Sequence, residues 1–365
     1  MIEVEISPVW RIRSNGQVRE LDVLLIAVLS GLCETGKLTL AARAAGITPR
    51  HARNLIAAWN AFLGAPMVAM RRGLGTRLTP LGEQLLWTGR RIQSRLAPEL
   101  DGLASSFART VNAALGATST PLAVHASHDF AVALLRDRLL AAGVAIEIQH
   151  RGSFDALASL VAGRCVVAGF HVPEGRLGRL MALRYAEGLQ GRDIRVQPLA
   201  VRSQGFIVPR GNPLQIHAIA DLARPGTRLI NRQRGSGTRA LLESLLTQAG
   251  VARGSIEGYD TEEITHSAVA ALVAGRQADV GFGIEAAAVR FGLDFVPIVT
   301  ERYYLAVALA DLEREDVALL LGVAACAAFC DGVDALPGYR SVRGAAPTTI
   351  EDAEDLATAE RPPRH

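Results

Sequence analysis

The spacing of apolar residues changes character twice along the chain. From 21 to 62 they recur three and four apart, the helical period. Residues 21–30 read as a helix with a broad apolar face, and 38–45 as a helix of small residues. Residues 49–62 read as a third, with Ala52, Leu55, Ile56 and Trp59 as its inward stripe. Before them, 1–18 predict a short strand, 9–12, and a turn at Ser14-Asn-Gly16. Leu81, Leu85, Ile92, Leu96, Leu100, Leu103 and Phe107 continue the helical stripe. Pro98 falls inside it, which predicts two helices meeting there. From Thr120 short apolar runs alternate with helical stretches, the pattern of an α/β domain. Strands are expected at 121–125, 145–149, 165–170, 196–201, 205–208, 279–283, 295–298 and 304–309. Helices are expected at 129–142, 154–162, 265–274 and 313–329, with 172–194 irregular and the tail from 343 disordered.

With 365 residues, 49% of them hydrophobic, the chain has material for two or three domains. No apolar run is long enough to span a bilayer, and the first residues are acidic with no apolar signal core. A cytoplasmic protein is therefore expected. Cys33, Cys165, Cys326 and Cys330 do not form a disulfide framework, and the last two read as buried thiols one helical turn apart. The net charge of +3 hides an asymmetry: between Lys37 and Arg95 stand ten basic residues and one acid, Glu83. Confined to one small segment, that excess reads as a footprint for a polyanion.

Two stretches carry the candidate chemistry. The first is Gly46-Ile47-Thr48, a tight turn between helices, where Thr48 can cap a helix opening with Pro49. Arg50, His51, Arg53 and Asn54 then lie on that helix's first turns, and a basic hairpin follows with Arg71, Arg72 and Arg77. Helix, short turn, second helix with a polar N-terminus is the arrangement that enters the DNA major groove, so the expected partner is double-stranded DNA. The second stretch is Asn231-Arg-Gln-Arg-Gly-Ser-Gly-Thr-Arg239, between a short apolar run and a leucine-spaced helix. Gly235 and Gly237 let a ligand approach the backbone, Ser236 and Thr238 add hydroxyls, and Arg234 and Arg239 add charge at a helix start. No lysine follows these glycines and the third glycine of a dinucleotide fingerprint is missing. With no nucleophile–base pairing, metal-ligand cluster or nucleotide loop in the sequence, a non-enzyme without cofactor or metal is expected.

Residues 18–90 resemble the winged helix-turn-helix domain of LysR-type regulators and, more closely, of molybdate-responsive ModE repressors. The resemblance rests on Ala-Ala-Arg-Ala-Ala-Gly-Ile-Thr at 41–48, on Trp59-Asn60 and on Leu78-Thr-Pro-Leu-Gly82. Residues 120–335 resemble the type II periplasmic-binding-protein fold, two α/β lobes joined by crossing strands, as in molybdate and tungstate binders. Four motifs carry that likeness: 231–239, Thr265-His-Ser-Ala-Val-Ala270, 278–285 and Glu301-Arg-Tyr303. Together they imply a multidomain chain: a mostly α winged helix-turn-helix domain at 18–90 and a linker and dimerisation helix at 91–117. An α/β two-lobed effector domain at 118–340 and a disordered tail at 341–365 complete it. The linker helix in the resembled regulators pairs two subunits, so a homodimer or higher homo-oligomer is implied; packing within its own chain is the alternative. The ligand is expected between the lobes, where 127–129, 152–153, 234–238 and 265–267 converge. Ser127, Ser153 and Tyr303 match the hydroxyl shell of the molybdate binders. Two roles are open to Ser127 and Ser153, helix cap or anion donor; two to His128 and His266, cap or wall residue or else charged ligand, with His266 counted among the ligand-binding candidates; and two to Tyr303, ligand hydroxyl or hinge core. Asp129 reads as a first-turn helix residue, and Glu285 as a helix start that orients Arg234. The implied function is a regulator sensing a small anion, molybdate or tungstate first. The alternatives are another anionic metabolite, or a carrier or enzyme of molybdenum-cofactor synthesis using its N-terminal domain for interaction.

Overall fold

Asp22 and Thr48 each sit just before a run of helical spacing, and in the computed structural model both act as caps. The structure describes residues 2, 4–71, 75–115, 121–189, 191–344 and 346–349. A hairpin of β1 (Arg11–Ser14) and β2 (Gln17–Glu20) leads into α1 (Val23–Thr35), whose Leu24 N–H bonds Asp22 Oδ1 at 2.8 Å. α2 (Leu38–Ala44) and α3 (Pro49–Leu63) follow, the latter capped by Thr48 Oγ1, 3.2 Å from the His51 N–H. A Cβ on Gly31 would lie 2.8 Å from Ala41 Cα, so small residues are what allow α1 and α2 to touch. Leu25, Leu29, Ala52, Ile56 and Trp59 close a core of their own. β3 (Val68–Arg71) and β4 (Gly75–Leu78) then pair antiparallel; the hairpin tip, Arg72 included, lies outside the described residues.

α4 (Pro80–Ala114) is one helix of 35 residues, not the two expected to meet at Pro98. Proline has no N–H for the carbonyl four residues back, here that of Ser94. Thr265 Oγ1 donates to that oxygen instead, at 3.1 Å. The helix therefore continues because another part of the chain satisfies the group that proline orphans. The boundary expected at 90/91 falls inside this helix.

Beyond it one nine-stranded sheet organises the chain. β5 (Leu122–Ala126), α5 (Phe130–Ala141), β6 (Ile146–His150), α6 (Ser153–Val161) and β7 (Val167–Pro173) build the first lobe. α7 (Arg176–Gly188) follows, and then β8 (Ile194–Val208) crosses into the second lobe. That lobe holds β9 (Leu229–Arg232), α8 (Gly237–Gln248), β10 (Glu262–Glu263), α9 (His266–Ala274), β11 (Val280–Ile284) and α10 (Glu285–Arg290). β12 (Asp294–Ala308) crosses back to α11 (Glu315–Ala325), α12 (Ala327–Asp334) and β13 (Tyr339–Ser341). The strand order is β10-β9-β11-β8-β12-β7-β5-β6, with β13 on β8. β5 pairs parallel with β6 and β7, and β9 with β10 and β11, while β8 and β12 run antiparallel along both lobes.

Several expected elements change. The stretch 172–194 holds α7, which buries Met181, Ala182 and Tyr185 at helical spacing. The runs 196–201 and 205–208 are one strand, and so are 295–298 and 304–309, whose breaks are β-bulges rather than ends. The last helix divides at Cys326, whose extended backbone lets its Sγ accept the Phe329 N–H at 3.4 Å. Cys326 is consequently exposed, not buried, whereas Cys330 is buried. The expected disorder from 341 does not hold at its start: Ser341 pairs with Ala200 in the sheet and Thr348 bridges Val196. Residues 350–365 lie outside the described residues.

Candidate functional site

A cleft of about 380 Å³ lies where strand ends of both lobes meet. The first lobe lines it with Ser127, His128, His150, Gly152 and His171; the second with Arg232, the 234–238 loop, Ile264 and His266. Arg95, Pro98 and Glu99 of α4 form a third side. The lobes touch across it. A Cβ on Gly152 would lie 2.6 Å from the Gly235 carbonyl oxygen, and one on Gly237 would lie 2.9 Å from His171 Cδ2. Gly235, at φ 84°, also occupies a conformation that side chains disfavour.

Ser236 caps α8 by accepting the Arg239 N–H at 3.2 Å, and the first turn of that helix directs its remaining N–H groups outward. Thr238 Oγ1 accepts from Gln204 at 3.1 Å, Gln204 donates to Glu301 at 2.9 Å, and Arg202 joins Glu301 to Asp129. Asp129 caps α5 and accepts a hydrogen bond from the Tyr339 hydroxyl at 2.8 Å. A buried polar chain therefore runs along the hinge strands from the glycine loop to the first lobe.

The cleft is positive at its floor. Arg232 is buried and lies in no ion pair among the described residues; its Nη2 donates to the Ile264 carbonyl at 2.7 Å, and its Nε has no partner. Burial, then the neighbouring Arg202, push its pKa down to about 9, against the opposing pull of Glu263. At neutral pH it remains a cation. A buried charge without a counter-charge costs several kcal/mol. Four histidines line the same cleft, each with its Nδ1 unpartnered among the described residues: His128, His150, His171 and His266. Burial holds them neutral, taking His128 down to about 3, with His150 and Arg232 adding to the shift. His171 and His266 lie well below the usual value, again chiefly through burial. Two carboxylates, Glu99 and Asp155, stand among the lining residues as well.

Of the residues expected to hold a ligand, Ser127, Arg234, Gly235, Ser236, Gly237, Thr238 and His266 line the cleft. Ser153 and Tyr303 lie behind it: Ser153 Oγ accepts the His171 N–H at 3.4 Å, and the buried Tyr303 hydroxyl lies 3.5 Å from Ser127 Oγ. The loop arginines are engaged elsewhere. Arg234 is exposed and pairs with Asp260 and Glu262 rather than Glu285, while Arg239 is buried against Glu243, Glu262 and the Tyr259 ring. The residue missed was Arg232. Its place in the apolar run Leu229-Ile-Asn-Arg232, at the cleft end of a buried strand, was the available signal. Ser127 Oγ also lies 3.4 Å from His171 Nε2, a contact of nucleophile–base type. Arg202 Nη2 is 3.5 Å from the same nitrogen and opposes its protonation, and no carboxylate orients Nδ1 among the described residues.

On the N-terminal module, Arg50, His51, Arg53 and Asn54 lie on the first turns of α3, all four exposed, and the exposed Arg77 stands on β4. Arg50, Arg53 and Arg77 form no ion pair among the described residues. Of Arg71 only the backbone is described. Arg90, Arg91 and Arg95, counted with the basic segment, turn toward Glu34 and Glu263 instead. α4 itself packs within its own chain along most of its length, leaving Leu103 and Phe107 more than half exposed.

Residues 136–325 match the family model described as a PBP superfamily domain. Uncharacterized protein YvgK of Bacillus subtilis is 33% identical over 159 residues, which is 44% of this chain and 52% of the relative. The match thus spans about half the length of that relative. An uncharacterized protein from the ferredoxin 2Fe-2S gene 5′ region of Clostridium pasteurianum is 31% identical over 100 residues, 27% of this chain and 88% of the relative. Among solved structures, a hydrogen-peroxide-bound mutant of OxyR from Corynebacterium glutamicum overlaps 83% of this chain and 92% of its own, at 17% identity and a TM-score of 0.42.

Proposed function

The chain belongs to the PBP superfamily, and from that premise we propose that it is a one-component transcriptional regulator whose two-lobed domain senses a small anion. The observation that carries the anion is Arg232: a buried guanidinium, without an ion-pair partner among the described residues, on the floor of a cleft beside a helix N-terminus. A negatively charged ligand supplies the missing counter-charge. Neutral imidazoles and the Ser127 hydroxyl add directional hydrogen bonds. Molybdate and tungstate are the preferred effectors. The cleft volume of about 380 Å³ favours a second reading, a larger organic anion such as a carboxylate or phosphorylated metabolite, since a bare tetrahedral oxyanion fills only part of it.

The N-terminal module is read as a winged helix-turn-helix, with α3 in the major groove and the β3–β4 hairpin as wing. What supports this is the basic face of α3, in no ion pair among the described residues, together with Arg77. The chain acts as a homodimer through α4. Catalysis is not assigned, because among the described residues no acid orients the Ser127–His171 contact, which stands beside Arg202.

The test is a thermal-shift series on the full chain with molybdate, tungstate, sulfate, phosphate, citrate and a sugar phosphate. A ligand at a hundred times its Kd stabilises by about 2.7 kcal/mol, a shift of a few degrees for a protein of this size. A selective rise with one anion supports the reading; none with any of them removes it.

A further inference from the structure

α4 is the only helix shared by the module and the cleft among the described residues, and its contacts with the second lobe are specific. Pro98 frees the Ser94 carbonyl, and Thr265, the cap of α9 next to the cleft residue His266, donates to it. One turn earlier, Arg91 Nε pairs with Glu263 Oε1 at 2.5 Å. The Glu263 side chain is fully buried and stands opposite Arg232 in the β9–β10 register. These two contacts fix the helix to the lobe.

Arg95 is held differently. Its side chain is 48% exposed, and Nη1 lies 3.8 Å from Glu263 Oε2, an oxygen left without a hydrogen bond among the described residues. Arg95 and Glu99, four apart on one helical face, both line the cleft. Of the other lining arginines, Arg234 is occupied by Asp260 and Glu262, and Arg151 is directed to Gln149 at 3.5 Å. Arg95 is therefore the loosely paired cation nearest the floor arginine's own carboxylate neighbour.

We propose that Arg95 is a contact for the bound anion: the ligand draws it off Glu263, so that the helix carrying the N-terminal module becomes a wall of the effector site. The proposal rests on the anion-sensing reading above and names its coupling residue. Glu263 remains paired with Arg91 when Arg95 leaves, so no buried carboxylate is stranded and the exchange costs little. Glu99 limits how much negative charge the ligand presents on this side, which sets a preference for anions whose charge lies toward Arg232. Occupancy is thereby felt directly by α4, through a side chain of its own.

The experiment is calorimetric titration of the full chain with sodium molybdate, tungstate, sulfate, phosphate and citrate, for wild type, Arg95→Gln, Arg95→Lys, Glu263→Gln and Arg95→Gln/Glu263→Gln. Arg95→Gln should bind the preferred anion at least about tenfold more weakly, the loss of one charge-assisted hydrogen bond. Its ligand-free melting temperature should be unchanged. Arg95→Lys should keep part of the affinity. Glu263→Gln should bind more tightly, because it releases Arg95, and this gain should vanish in the Arg95→Gln background. If both Arg95 variants bind as wild type does, or if the Glu263→Gln gain persists without Arg95, the exchange is wrong. In that case wild-type binding that Arg232→Gln abolishes leaves the anion-sensing reading standing. Absence of wild-type binding to the whole panel overturns both.

Discussion

Arg232 explains why the cleft is built as it is. The imidazoles beside it are held neutral, and Glu263, whose charge offsets only part of the effect of burial, forms its ion pairs with α4. Replacing it with glutamine should lower anion affinity roughly 10- to 150-fold, the range for a lost charge-assisted hydrogen bond of ~1.5–3 kcal/mol. Free-protein stability should hold or rise, since an uncompensated buried charge disappears. Calorimetry and urea unfolding read the two effects separately; a destabilised variant with unaltered affinity would assign Arg232 a structural part only. The glycine loop was legible in the sequence because Gly235, Ser236 and Gly237 announce a helix start, and the structure places that start in the cleft lining. Which buried arginine lines the cleft without an ion pair among the described residues was not legible. That depended on Asp260, Glu262 and Glu243, distant along the chain or on another turn, claiming Arg234 and Arg239.

At the scale of elements, local capping signals proved readable and long-range compensation did not. Thr48 before Pro49 marks the start of α3, and the small residues of 38–45 mark a helix that must approach another closely. Pro98 gave the wrong boundary because the partner for Ser94 lies 171 residues away, at Thr265. β8 and β12 were divided at polar residues that are in fact hinge-network members, Arg202, Gln204 and Glu301. For α3, Arg53→Ala and Asn54→Ala should relax sequence choice by about 1–3 kcal/mol each where a bidentate base contact is lost. Arg77→Ala should weaken all duplexes alike and reduce the salt slope by about 1. Binding titrations over a salt series check both, and identical behaviour of the three variants would displace α3 from the groove. For α4, Leu103 and Phe107 are 55% and 59% exposed on one face. Changing both to glutamate should convert a dimer to a monomer by sedimentation; a wild-type monomer at micromolar concentration would remove α4 as a pairing helix.

The molecule as a whole should be sensitive to acid in a predictable direction. His128, His171 and His266 are neutral when folded but titrate near 6.5 when unfolded. Above that pH neither state gains protons, and their contribution is fully retained. As pH falls through 6.5 the unfolded chain binds protons that the folded chain refuses, so stability is lost progressively, for His128 down to about 3. Between pH 6.5 and about 5 the His128 imidazole costs up to about 2 kcal/mol, and His171 and His266 act in the same direction. Urea midpoints of wild type and His128→Asn across this range measure the term: the variant should have the shallower slope. A bound anion should flatten it as well, because it favours the charged imidazole.

The central claim is that one chain joins an anion cleft to a DNA-binding surface. The most direct measurement is the affinity of the full chain for the duplex it selects from a random library, at fixed salt, with and without the anion that raises its melting temperature. Wild type should change its affinity at least about fivefold on adding the anion, a coupling of about 1 kcal/mol. Arg232→Gln should bind the same duplex with no response. Equal wild-type affinity in both conditions, with the cleft demonstrably occupied, would contradict the account.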